Sequence, residues 1–392
     1  MAGRLRQLDL YLTAIPMRSF EHAAALRDVA QAVIVRTEFD DGTEGWGESL
    51  PRQYVTGETL DGVVDDIEQL LFPACRNLDF ARPDCLSALP VSAPGGRCIN
   101  AALCAVTLAV ESRKRGHSTF PCRVAANVET NTEKLNVPFS GRRIHARVSG
   151  VLGSADPART ARRLRLMRLY GLRDFKLKLG LGAEIDAQNL RLVHGRLRRG
   201  IATGELTLRV DVNGGWDAAT TPDRVADLVP YGVCVVEQPV FCPAGQLAEL
   251  AQRCALPLMA DESLLTPDDA EILSRTRQVW WNIRISKNGG LVPALALAAK
   301  AAANAIPFTV GCMVGESSIL SAAQRRLLQA CPPPRFVEGN YGRFLLSGDL
   351  TTRSLRFGYG GRLGVLGGPG LGVQVDRRKL QQFGRMVRTL RA

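Results

Sequence analysis

The chain has 392 residues, 46% apolar and 22% charged, which suits a soluble globular protein of two domains, or of one barrel with a smaller domain attached. Its net charge of +12 comes from scattered arginines, as in RTARRLRLMRLYG, HGRLRRG and AAQRRLLQA; with 6% aromatics and no RNA-module or zinc-finger motif, these read as solvated helix faces, and no nucleic-acid partner is expected. No run approaches the roughly 20 apolar residues of a membrane span, and MAGRLRQLDLYLTAIP lacks the apolar stretch and cleavage site of a secretory signal, so no membrane partner and a cytoplasmic location are expected. The ten cysteines show no CxxC pairing or metal-finger rhythm and read as buried free thiols.

In chain order, QAVIVRTEF and the turn DDGTEG predict a β-hairpin, and helices follow around TLDGVVDDIEQLLFPACR and CINAALCAVTLAVESRKRG, an α+β pattern. The polar stretch from Ser112 to about Arg143 reads as a linker or insertion. From about Ile144 strands and helices alternate: HARVSGVLG, DFKLKLG, LTLRVDVN, VCVVEQP, LPLMADES, WWNIRIS, IPFTVGC and RFVEGN give about eight strands, the number that closes a barrel. The glycine-rich tail TTRSLRFGYGGRLGVLGGPGLGV has no convincing helix after it, so it reads as a turn-rich return segment rather than a phosphate cradle.

Chemistry gathers at the ends of these strands. Asp211, Glu237 and Asp261 each close an apolar run and are 26 and 24 positions apart; Lys176 and Lys178 precede them, and Lys287 follows Asp261 by 26 positions. Such spacing is that of successive strand–helix units, whose C-terminal ends converge at a barrel mouth. Three carboxylates suit a hard divalent cation with coordination positions left for substrate. His22, His117, His145 and His194 form no motif, which disfavours zinc. Lys176 and Lys178 share one face of a strand, and two enclosed ammonium groups lower each other's pKa, which suits a general base. Lys287, on a strand across the barrel, would place a second amine opposite.

As an ordered set, KxK at 176–178, DxN at Asp211 and Asn213, EQP at Glu237, DES at Asp261 and KNGG at Lys287 resemble the enolase superfamily, and within it the muconate-lactonizing-enzyme group; GWGES, VGCMVGES and PGLGV extend the likeness over nearly the whole chain. The resemblance implies an α/β fold, a modified TIM barrel (β/α)7β with an N-terminal α+β capping domain: cap at 1–140, barrel at 141–357, and a C-terminal segment, 358–392, returning to the cap. It implies Mg2+, with Mn2+ as a substitute, on Asp211, Glu237 and Asp261. Lys178 and Lys287 would be opposed acid/bases, Lys176 an electrostatic partner of Lys178, and Asn213 and Glu262 outer supports. Glu316 would lie near the substrate, or cap the helix that follows it. Two cap loops, Met17 to Ala23 and Pro51 to Thr59, would select the substrate through Arg18, Phe20, His22, Arg52 and Tyr54. The implied activity is proton abstraction α to a carboxylate of a small molecule, with the enediolate stabilised: an epimerase, racemase or cycloisomerase. A dehydratase or o-succinylbenzoate-synthase-like lyase is the alternative, and a non-catalytic metal-binding scaffold a more distant one. A homo-oligomer is compatible with the family, though no sequence feature fixes the assembly.

Overall fold

The computed structural model describes residues 3–22, 25–82, 85–113 and 143–392, with the side chains of 19–27 outside the description. Most of the expected linker or insertion, 114–142, therefore lies outside the described residues.

The N-terminal sheet contains β1 (Leu5–His22), β2 (Ala25–Phe39) and β3 (Glu44–Ser49), all antiparallel. The run AVIV in β2 is continuous because both faces of the sheet are covered. Val33 and Val35 enter a core with Leu8, Leu10 and the helix Asn100–Glu111, while Ala30, Ala32 and Ile34 face the core shared with the barrel. That helix lies so close to β3 that a Cβ on Gly47 would stand 1.9 Å from the Ala105 carbonyl oxygen. Only glycine permits the approach.

The segment expected as a loop from Met17 to Ala23 is instead largely strand. β1 and β2 run on as a long hairpin, with Phe20 opposite Arg27 and His22 opposite Ala25. Met17 also bridges to Leu346, and the Arg18 N–H donates to the Leu345 carbonyl at 2.8 Å, so this end of the hairpin rests on the barrel.

The second sheet is all parallel: β4 (Gly150–Leu152), β5 (Asp174–Lys178), β6 (Thr207–Asp211), β7 (Val233–Glu237), β8 (Leu258–Ala260), β9 (Val279–Ile283), β10 (Phe308–Val310) and β11 (Phe336–Val337), each beside the next. A parallel bridge between Val148 and Val337, with the Ser149 N–H donating to the Val337 carbonyl at 2.8 Å, joins the two edges. Seven helices alternate with the eight strands, from Pro157–Leu169 to Ser318–Ala330. Register sets Lys178 beside Asp211 and Asp211 beside Glu237, a row of ionisable ends along one rim. The last strand, β12 (Gly384–Arg391), leaves the barrel and pairs antiparallel with β1.

Two arginines expected on a solvated face, Arg325 and Arg326, are buried. The tail covers them. Arg325 donates to the carbonyls of Gly364 and Arg356 and to Asn340, and Arg326 to those of Leu366 and Gly368. They tie a segment without regular structure to the helix Ser318–Ala330. Every cysteine among the described residues is a free thiol, and no described helix is long and apolar enough to cross a membrane.

Candidate active site

Lys178, Asp211 and Glu237 are the last residues of β5, β6 and β7; Asp261 and Arg284 are the first beyond β8 and β9. Their side chains meet at the C-terminal end of the parallel sheet, beneath the N-terminal sheet. Lys178 Nζ lies 2.6 Å from Asp211 Oδ2 and 2.7 Å from Asn213 Oδ1. Lys176 Nζ is 3.1 Å from the same Asp211 oxygen, 3.2 Å from Glu237 Oε2 and 2.8 Å from Glu338 Oε1. Burial opposes a charge on Lys176, but Glu237, Glu338 and Asp211 hold its pKa well above the usual lysine value. The expectation that Lys178 lowers it is therefore reversed here, because three carboxylates outweigh one neighbouring amine. Asp211, also buried, is held well below the carboxylate range by Lys178 and Lys176. Burial and the nearby Asp211 charge push Glu237 up to about 7.

Two supports went unnoticed in the sequence, Gln238 directly after Glu237 and Glu338 in RFVEGN. Gln238 follows Glu237 with a φ of 36°, and its carboxamide oxygen accepts from the Asp261 N–H at 2.8 Å while its nitrogen donates to Ser263 Oγ at 2.7 Å. The end of β7 is thereby tied to that of β8. Glu338, just past β11, pairs with Arg209 Nη2 at 2.5 Å as well as with Lys176. It obeys the same rule as the other acids, a carboxylate at the end of an apolar strand (RFVEGN).

The opposite side of the site differs from expectation. β9 ends at Ile283, so Lys287 belongs to the turn beyond it rather than to a strand end. Its ammonium is fully enclosed, donating to the carbonyls of Asp261 at 2.6 Å and Asn282 at 2.8 Å, with Asp261 Oδ1 at 3.1 Å. Burial pushes its pKa down. The cation that reaches the cavity from this side is Arg284, whose guanidinium hydrogen-bonds Asp261 Oδ2 and lies 3.5 Å from Glu237 Oε1.

The cavity has a volume of about 460 Å3. Lys176, Lys178, Asn213, Glu262, Arg284 and Glu338 form its polar end, and Arg18 and Tyr54 reach it from the N-terminal region. Much of the remaining wall is apolar, including Met167, Leu172, Phe344 and Phe357. Both carboxylate oxygens of Glu262 are buried without a hydrogen-bond partner among the described residues; burial and the Asp261 charge push its pKa up to about 8. Glu262, expected as an outer support, lines the cavity itself.

Two expected substrate contacts, Arg52 and Glu316, are not placed at the wall. Arg52 is buried, not exposed, and staples the cap to the barrel through the carbonyls of Gln31, Pro51 and Val314. Glu316 accepts from the Met313 N–H at 2.7 Å, while Cys312, Met313 and Val314 of its loop line the cavity; the cap of the next helix is Ser317. The side chains of Phe20 and His22 lie outside the described residues.

For a divalent ion the donor chemistry fits: three buried carboxylates on adjacent strand ends, with the unpartnered Glu262 alongside. Among the described residues no three His, Cys, Asp or Glu side chains are gathered to hold a metal ion. Asp261 and Glu237 share the Arg284 guanidinium.

Comparison with known proteins agrees with this frame. Residues 158–379 match the family model described as Enolase C-terminal domain-like. The L-Lys-D/L-Arg epimerase of Methylococcus capsulatus is 30% identical over 87% of this chain and 90% of its own length. The N-succinyl-L-Arg/Lys racemase of Bacillus cereus is 28% identical over 82% of each. A crystal structure of muconate lactonizing enzyme from Pseudomonas fluorescens, complexed with muconolactone, superposes with a TM-score of 0.82 at 25% identity, covering 98% of this chain and 100% of that one. The chain belongs to the enolase superfamily, and its relatives place it among the isomerases of that superfamily.

Proposed function

We propose that this enzyme moves a proton at the carbon α to a substrate carboxylate with one lysine, Lys178, and that its isomerisation is a cycloisomerisation. The observation that carries the reading is the exchange of sides at β9: Arg284 faces the cavity and Lys287 is sealed behind it. Racemisation or epimerisation needs a proton removed from one face and another delivered to the opposite face, hence two groups that titrate. A guanidinium retains its proton throughout the working range. Cycloisomerisation needs only one such group. In the lactone-opening direction Lys178 takes the α-proton, the ring C–O bond breaks, its electrons leave with the carboxylate, and a C=C bond forms. In the closing direction the carboxylate oxygen adds to the alkene and Lys178 returns the proton. No oxidant or reductant is required.

Asp211, Glu237 and Asp261 are the residues that would hold Mg2+, and a bound ion would supply positive charge where the α-carbanion spreads onto the substrate carboxylate. The chain's own part is orientation and the exclusion of water. Asn213 and Asp211 aim the Lys178 amine, Lys176 balances the acids behind it, and Arg284 offers a permanent cation to a carboxylate.

The test is incubation with Mg2+ in D2O of single enantiomers of γ-lactone acids and of N-acyl amino acids, followed by mass and chiral analysis. Deuterium at the α-carbon with configuration retained, together with ring-opened product from the lactones, is expected. Recovery of both configurations from one enantiomer would overturn the one-lysine assignment; loss of water or another fragment would show a lyase instead.

A further inference from the structure

The cavity has a second feature that proton transfer does not use. Away from the buried lysine end it opens beside Arg18, from the β1 hairpin, and Arg163, on the helix Pro157–Leu169. Arg18 is exposed and Arg163 half-buried, and both line the cavity. Among the described residues neither guanidinium has an ion pair or a hydrogen bond. Burial and the charges of Arg159, Arg162 and Arg18 all push the Arg163 pKa down, and no acid relieves it. Met167, Tyr170, Leu172, Phe344 and Phe357 supply the apolar wall of the same cavity.

We infer that Arg18 and Arg163 form an anion-selecting pair at the cavity mouth, and that the substrate is an elongated dianion with its reacting carboxylate at Lys178, an apolar middle, and a second anionic group at the two arginines. The inference rests on the reading that Lys178 marks the reacting end, and it adds the class of molecule that fills the remainder. A cavity of about 460 Å3 lies in the range of roughly 300–1,000 Å3 found for sites that enclose drug-sized ligands. A two- or three-carbon acid would leave the apolar wall uncovered. Half-buried Arg163 keeps its charge close to those of Arg18, Arg159 and Arg162 beside a partly apolar cavity, an arrangement that an anion relieves. A guanidinium fork suits either carboxylate or phosphate oxygens.

Isothermal calorimetry on the full chain in Mg2+, with α,ω-dicarboxylates of six to ten carbons against monocarboxylates of equal length, reads the pair without requiring turnover. Diacids are expected to bind about tenfold tighter or more, the size of one charge-assisted contact. The advantage should shrink to about twofold in the Arg18→Gln, Arg163→Gln double variant, while monoacid affinity and melting temperature stay unchanged. An ω-phosphonate series tells a carboxylate-selective mouth from a phosphate-selective one. Equal binding of diacids and monoacids, no binding of either, or the same preference in the double variant would overturn the inference. Diacid preference with no α-deuteration of any ligand would instead leave the mouth assigned and remove the Lys178 chemistry.

Discussion

Arginine and lysine carry the same charge but do different chemistry, and the proposed one-lysine reaction turns on that difference at Arg284 and Lys287. Lys287 holds two carbonyls and Asp261 together inside the protein. Replacing it with methionine leaves Asp261 without one of its cations and should cost about 3–5 kcal/mol of unfolding free energy, read by urea denaturation. Lys178→Ala removes a cation from Asp211 in the same way, but its distinguishing effect should be on chemistry, lowering kcat of the folded enzyme by about 10²–10⁴-fold in steady-state assays. Arg284→Lys puts an amine that can titrate on the cavity side opposite Lys178; α-deuterated product of inverted configuration, absent from the wild type, is the expected gain. The sequence reading reached Lys176, Lys178 and the three acids because a carboxylate or amine closing an apolar run marks a strand end. It passed over Arg284 because spacing counts residues along the chain and does not see where β9 stops. Lys287 lies four residues beyond Ile283, and the side chain that reaches the cavity is the one immediately after the strand.

Between elements, one joint of cap and barrel is a carboxylate that caps a helix from outside it. Glu48, on β3, accepts from the Ser317 N–H at 2.9 Å, the Ser317 hydroxyl at 2.6 Å and the Leu320 N–H at 3.0 Å, at the start of the helix Ser318–Ala330. Negative charge at a helix N-terminus is favourable, yet burial outweighs these bonds and pushes Glu48 up to about 7 from the ordinary glutamate value of about 4.5. Between those two values the native protein binds a proton that the unfolded chain has released. The contribution of Glu48 is therefore fully present below about pH 4.5 and is lost as pH rises through about 7. Glu48→Gln should lose about 1–2 kcal/mol at pH 5 through its weaker acceptor, and its denaturation midpoint should fall less than the wild type's between pH 5 and 8. Equal slopes would show that Glu48 does not titrate in that window. GWGES was recognisable as a motif, but its partner is 269 positions away in sequence, a distance that local pattern cannot bridge. The long hairpin through residues 17–22 escaped for a related reason. Its paired extension depends partly on contact with Leu345 and Leu346, far along the chain.

Across the whole molecule the two ends of the chain build one sheet, and that sheet delivers Arg18 to the cavity. β12 covers the free edge of β1 from Gln7, paired with Arg391, to Thr13, paired with Gly384, and the Thr389 hydroxyl donates to Asp9 at 2.8 Å. On the way there the glycine-rich tail passes over the carbonyl-binding arginines Arg325 and Arg326, which composition alone assigned to solvent. A turn-rich return was readable from its glycines; which helix it covers was not, because arginines that bond carbonyls leave no acidic partner in the sequence as a clue. Deleting 384–392 removes β12 and leaves the N–H and C=O groups along that edge of β1 unpaired, an open template for another chain. The truncated protein should self-associate in sedimentation velocity at concentrations where the full chain does not. It should also lose kcat/KM mainly through a higher KM, since Lys178 and the acids stand on barrel strands while Arg18 and Tyr54 come from the N-terminal region. An unchanged KM with a collapsed kcat would mean that the cap acts on the barrel ends themselves, through joints such as Glu48, rather than on the mouth of the cavity.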